Sequence, residues 1–392
     1  MISRLTLLSA IFPVLLSLQS CASQRDDLFV DHDGWTVMAT TFEVTVYRPT
    51  SESSLTTQDL KAAYAEVAEI DRLMSLYRSD SELVALNTRA GEGAVDISPR
   101  MLEVLRASDH YARLSQGAFD VTVQPLVDLW GFYHVEHAAV PQQSEIDAVL
   151  RTVGNDRMLL DARKGTLELK AATRVDLGGI AKGYAVDRAL AVLRARGVTA
   201  ALVNLGGNIG VVGHAPGGRP WVVGIQHPRE NRLIGQIRFW SGAVATSGDY
   251  DRYFEADGKR YSHILDPRNG WPVEGIYALT VIAPNATAAD ALSTAAFVLG
   301  PQRGMELLNT CQGADGFVVA PAGNDPAQSQ HLAVQITPHA QASSQNAKHG
   351  AAIFIEPDPM VIVRTDDISV QGSRIRECIM PVSSSQPLLS KK

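Results

Sequence analysis

The sequence predicts an α+β fold rather than a doubly wound sheet. The order of the elements carries this, and composition and length bound the size of the fold. Strand and helix hydrophobic periods are both present, and they do not follow a regular strand–helix alternation. The composition, 45% hydrophobic and 20% charged over 392 residues, is that of an ordinary globular chain able to bury a sizeable core. That length allows one large domain or two modest ones.

Taken in order, Trp35 to Tyr47 alternates with β-branched and aromatic residues and reads as a strand. A helix starts at Thr57, with Leu60, Tyr64, Val67, Ile70, Met74 and Tyr77 on one apolar face. Ser98-Pro99 opens a second helix, serine as N-cap and proline at the first helical position. Residues 166–176 read as a strand. A helix runs from about Ile180 to Arg196 and stops at Gly197. Residues 199–212, 221–226, 235–246 and 277–283 are strand-like. Asn285 to Leu299 reads as a helix, Pro301 opens a short one, and Asp315 to Ala320 is a core strand. Residues 321–349 are polar and read as loop, 351–364 as strand again, and Ser383 to Lys392 as disordered.

The N-terminus differs from the body. An apolar run from Leu5 to Leu18 is too short and Pro-interrupted to span a bilayer comfortably, but suits a secretory signal. It ends Leu18-Gln19-Ser20-Cys21, which resembles a bacterial lipobox with Cys21 lipidated; the other reading is a plain signal peptide with a chance cysteine. The expected location is the cell envelope, lipid-anchored to a membrane and facing the periplasm. Net charge is −7, so no basic field points to nucleic acid. Cys311 and Cys378 lack metal-ligand spacing, and with Cys378 in an atypical tail no structural bridge is expected.

Standard nucleotide and hydrolase signatures are absent: no Walker loop, no strand followed by G-x-G-x-x-G, no zinc helix, no G-x-S-x-G elbow. Five segments stand out. GAFDVTVQPLVDLWGF (117–132) suits close backbone approach to a flat ligand, or a turn into core. DLGGIAKGYAVD (176–187) puts paired glycines at a helix start. Lys182 falls in the first turn of that helix, where a cation is disfavoured; it reads as facing an anion or as a surface lysine. NLGGNIGVVG (204–213) resembles a phosphate loop or a bulged strand. YSHILDPRNGWP (261–272) sets His263, read as lying in a strand, beside a polar turn. ADALSTAAFVLG (289–300) presents Asp290 and Thr294 one helical turn apart, suited to a hard cation such as Mg²⁺ or merely to solvating a helix start.

Together and in this order, these segments resemble the ApbE family of FAD:protein FMN transferases, from about Trp35 to Ala320. MSLYRSDSELVALN (74–87) resembles the family's flavin-side motif. The resemblance implies a T-fold-like transferase domain with FAD in a cleft between two lobes. It implies FAD contacts at Met38, Tyr77, Ala118, Phe119, Asp120, Asp176, Lys182, His263 and Ile264, and Mg²⁺ at Asp290, Thr294 and the Gly179 carbonyl. It implies Mg-dependent transfer of FMN from FAD to a threonine or serine of a respiratory-type flavoprotein subunit, with AMP leaving. His263 is assigned as base, with Asp290 as rival. The implied organisation is a lipoprotein signal (1–20), a tether (21–34), the transferase domain (35–325) and an atypical, partly disordered extension (326–392). Asn208 stands where aspartate is commoner and Asn269 where threonine is. Rival readings are an FAD pyrophosphatase giving FMN and AMP, and a non-catalytic FAD-binding lipoprotein.

Overall fold

A computed structural model describes residues 28–49, 56–133, 138–323, 331–338, 340, 351–356, 358, 360–364 and 378–380. The segment read as a signal, Cys21 and the tail from Ser383 lie outside the described residues.

The frame is a nine-stranded sheet. Its spatial order is β1 (Leu28–Val37), β2 (Thr40–Pro49), β6 (Ala200–Leu205), β7 (Asn208–Val212), β10 (Ala243–Gly248), β13 (Ala278–Ala283), β14 (Asp315–Pro321), β15 (Leu332–Ile336) and β17 (Val361–Arg364). Every pairing is antiparallel except β15 with β17. On one face lie α1 (Thr56–Met74), α3 (Pro99–Leu114), α6 (Ala181–Ala195) and α7 (Ala286–Thr310). The other face carries a three-stranded sheet, β16 (Ala351–Ile355), β9 (Leu233–Phe239) and β8 (Trp221–Gln226). Both faces are therefore covered, which is why β13 reads ALTVIA with every residue buried. Leu279 and Val281 join the helical core, while Ala278 and Ile282 join the core under the small sheet, as the two-residue period of a strand requires.

A smaller lobe packs α4 (Gln124–Trp130), α5 (Gln143–Leu150) and the hairpin β11 (Tyr253–Ala256) with β12 (Lys259–Ser262) around Trp130, Phe132 and Tyr261. The Trp130 indole N–H donates to the Gly270 carbonyl at 2.9 Å, tying this lobe to the turn after His263. The described residues also include the short helix α2 (Glu82–Thr88) and a small sheet of β3 (Val95–Asp96), β5 (Thr166–Leu169) and β4 (Met158–Asp161).

Several expectations change. The strand read over 35–47 is a hairpin, because Met38 and Ala39 take φ of 53° and 56° and reverse the chain. The segments 199–212 and 235–246 are likewise each two strands; the first breaks at Gly206-Gly207, both with positive φ. The strand expected to reach residue 176 ends at Leu169, and His263 lies just beyond β12 rather than within it. β1 begins inside the span read as a tether. Beyond residue 325, β15 and β17 extend the main sheet and β16 pairs with β9, so these strands belong to the folded body. Cys311 and Cys378 form a disulfide with Cα atoms 5.1 Å apart, against the expectation of no bridge. The reason is tertiary. The segment after residue 377 folds back, where a His110 ring nitrogen bonds the Cys378 carbonyl at 2.9 Å and the Asn285 amide donates to the Met380 carbonyl at 3.0 Å.

Candidate active site

The floor of a cleft of about 490 Å³ is the junction of α6 and α7. The two helices cap each other. Asp187 on α6 accepts from the backbone N–H groups of Ala286 and Thr287, both at 2.8 Å, and from the Thr287 hydroxyl at 2.6 Å. Asp290 on α7 accepts the Gly183 N–H at 2.8 Å, in the first turn of α6. Each carboxylate thus satisfies donors that a helix start leaves orphaned. Gly183 makes the approach possible: a Cβ there would lie 2.2 Å from the Ala286 carbonyl oxygen. Gly179 is more mildly constrained, since a Cβ would sit 3.2 Å from both the Phe119 ring and Thr294 Oγ1.

Asp290 is 5% exposed, and burial pushes its carboxyl above the usual range, partly offset by the nearby Lys182 ammonium and the Gly183 N–H. One turn on, Thr294 Oγ1 donates to the Asp290 carbonyl at 3.2 Å and lies 3.4 Å from Ser247 Oγ. Lys182 donates to the Gly178 carbonyl at 3.2 Å. Its ammonium also acts on Asp251, a carboxyl raised chiefly by burial. The anion expected near Lys182 is thus met within the chain by Asp290 and Asp251.

The walls come from separate elements. Asp176 Oδ1 accepts the Gly178 N–H at 2.7 Å and Oδ2 the Tyr133 hydroxyl at 2.6 Å, so this carboxylate holds the glycine turn and an aromatic together. Asp120 Oδ1 accepts from the Thr122 N–H and hydroxyl, which fixes the turn carrying buried Ala118 and Phe119. The Nδ1–H of His263 donates to the Arg252 carbonyl at 3.1 Å, which leaves Nε2 as the ring's acceptor. Burial lowers the imidazole to about 4, with Arg252 and Lys182 adding to the shift, so it is neutral at pH 7. At the rim Tyr77 is 56% exposed, with the Arg252 guanidinium 5.7 Å from its ring centre and Tyr133 edge-on at 6.1 Å.

All the positions expected at the site from Met38 to Thr294 line this one cleft, although they come from hairpin turns, loops and two helices. Cys21 lies outside the described residues. Sequence reasoning missed Asp187, Tyr133, Ser247, Asp251 and Arg252. Asp187 closes the DLGGIAKGYAVD segment and Tyr133 follows GAFDVTVQPLVDLWGF directly, so each had a local signal. Asp251 and Arg252 had only a polar stretch before a strand. No group of three His, Cys, Asp or Glu side chains that could hold a metal occurs among the described residues. What the floor offers a cation is one carboxylate, a hydroxyl and backbone carbonyls, an all-oxygen set of the kind hard cations take.

Fold and site together define an α+β domain whose cleft combines an oxygen-lined floor at two helix starts with an aromatic rim. The profile of the ApbE family matches residues 38–318, and this chain belongs to the ApbE family. It is 33% identical over 313 residues to a protein of Haemophilus influenzae named FAD:protein FMN transferase, covering 77% of this chain and 89% of that one. A Vibrio cholerae protein of the same name is 34% identical over 310 residues, covering 76% and 89%. A crystal structure of the ApbE protein from Thermotoga maritima superposes with a TM-score of 0.72 at 32% identity, over 79% of this chain and 98% of that one. The apo Pseudomonas stutzeri flavinyl transferase ApbE gives 0.70, also at 32% identity, over 79% and 95%.

Proposed function

We propose that this chain is an FAD:protein FMN transferase, which moves FMN from FAD to a threonine or serine hydroxyl of a target protein with Mg²⁺ as the metal. The observation that carries this reading is the single cleft: segments far apart in a chain of this family converge there around a carboxylate and a hydroxyl one helical turn apart.

The acceptor hydroxyl oxygen bonds to the phosphorus on the FMN side, the pyrophosphate P–O bond breaks, and AMP leaves with the bridging oxygen. A divalent cation bound at this floor supplies charge neutralisation for the pyrophosphate oxygens. Asp290, Thr294 and the Gly179 carbonyl would hold it. Lys182 adds a fixed positive charge beside them. Ala118, Phe119, Met38 and Ile264 give the flavin an apolar wall, and Tyr77 closes over it from the rim. His263 Nε2 is available to take the hydroxyl proton. Its lowered basicity makes it a weak base, and Asp290 is the rival only where its carboxylate is not engaged by the cation. The lipobox supports a periplasm-facing lipoprotein, and Cys21→Ser is expected to release it from membranes.

The test uses the full chain in detergent with FAD, Mg²⁺ and a small protein bearing an acceptor threonine, and reads that protein's intact mass. A gain of one FMN, abolished by EDTA and by Asp290→Ala, is expected. Free FMN and AMP with no mass gain would make the protein a pyrophosphatase. Unchanged bound FAD would leave only a carrier.

A further inference from the structure

Asn208 opens β7, and only 3% of it is exposed. Its Oδ1 has no hydrogen-bond partner among the described residues, and of the buried side-chain atoms in that condition it alone lines the cleft. A buried polar atom left unpaired costs about 1–3 kcal/mol. Such an atom calls for a partner beyond the described protein atoms, an ordered water or an ion among them.

The strand pattern shows where Asn208 points. Two residues on, a Cβ at Gly210 would meet Leu190 at 2.7 Å and Val186 at 2.8 Å, so that face of β7 looks onto α6. Side chains two apart on a strand share a face, so Asn208 looks onto α6 as well. It lines the cleft with Lys182, in the first turn of that helix, and with Asp290 and Thr294. The atom left over is an acceptor. A phosphate offers no proton at neutral pH and cannot satisfy it, whereas a hydrated cation can, directly or through a water. Magnesium keeps several waters, and their protons need acceptors held by the protein.

We propose that Asn208 is a further residue of the cation site, its Oδ1 serving as an oxygen ligand, direct or through one water, to a divalent ion held by Asp290 and Thr294. This rests on the cation reading above and adds to it a side chain from the sheet. The floor is then completed from three elements, β7, α6 and α7, rather than from the helix pair alone.

The test reads metal binding rather than turnover. Full-length protein in detergent is titrated with Mn²⁺ in the presence of AMP, and free Mn²⁺ is followed by electron paramagnetic resonance. FAD affinity is measured separately in EDTA by flavin fluorescence. Asn208→Leu keeps the bulk and removes the oxygen, and should weaken Mn²⁺ about tenfold while metal-free FAD affinity stays as in the parent. Asn208→Asp should bind Mn²⁺ at least as tightly as the parent. Asn208→Ser, too short to reach, replaces the leucine variant if thermal melting shows that variant unfolded, with the same expected loss. Unchanged Mn²⁺ affinity on losing the oxygen overturns the proposal, as does a loss confined to metal-free FAD binding, which would make Asn208 a flavin contact. Asp290→Ala separates the two readings: if it too binds Mn²⁺ normally, the cation site itself is misplaced.

Discussion

The floor and the rim of the cleft are built on opposite principles. At the floor, Asp187 and Asp290 are almost fully buried and each caps the helix that carries the other. At the rim, Tyr77 is more than half exposed and is held by an aromatic edge and one guanidinium. Carboxyl groups are thus fixed where each accepts backbone N–H groups of the facing helix, and an adaptable aromatic surface is left at the mouth of the cleft. Preorganised polar groups act most strongly where water is excluded and nothing has to move. The rim has few buried contacts to lose.

The largest effect should come from breaking the floor by sterics. Gly183→Ala places a Cβ against the Ala286 carbonyl and is expected to cost about 3 kcal/mol, read as a lower urea midpoint. A parent-like midpoint would mean that the helices are free to separate. Next, Asp187→Ala leaves the buried N–H groups of Ala286 and Thr287 unpaired and should cost about 2 kcal/mol by the same measurement.

Asp290→Asn should separate stability from function. Its carboxyl is raised by burial; a raised acid favours the fold while protonated and loses that contribution as pH rises through its folded pKa. The asparagine variant should therefore melt at or above the parent at pH 8, with the gap narrowing toward pH 4, while FMN transfer is lost. A variant that melts well below the parent at pH 8 would show that the charge itself holds the helices. The smallest stability change belongs to the rim: Tyr77→Ala should alter the urea midpoint negligibly, within about 0.5 kcal/mol, yet weaken FAD binding five- to tenfold, about 1 kcal/mol of ring contact. Equal damage to stability would erase the distinction between rim and floor.

Local chemistry was legible where it acts alone. Ser98 caps α3 as its spacing with Pro99 predicts, Gly197 ends α6 with positive φ, and β8 spans Trp221–Gln226 as read. The Met38-Ala39 turn was not legible, because neither residue is a glycine, asparagine or aspartate, the usual carriers of left-handed backbone in a tight hairpin. At the site, the residue types were visible in their motifs. What each carboxylate does was not: Asp176 and Asp290 differ little as letters, yet one braces a turn and an aromatic while the other sits at a helix start beside Thr294.

The sequence by itself determined the α+β class, the Ser98 and Gly197 helix boundaries, and the motifs and the family they resemble, because these depend on residue type and short spacing; α2, α4 and α5 were not legible in it. Only the tertiary structure decided that Asp187 caps α7 while Asp290 caps α6, that Cys378 returns to Cys311, and that strands after residue 330 extend the main sheet. Each of these is a contact between distant segments. Its free energy comes from burying and pairing groups that no local window contains.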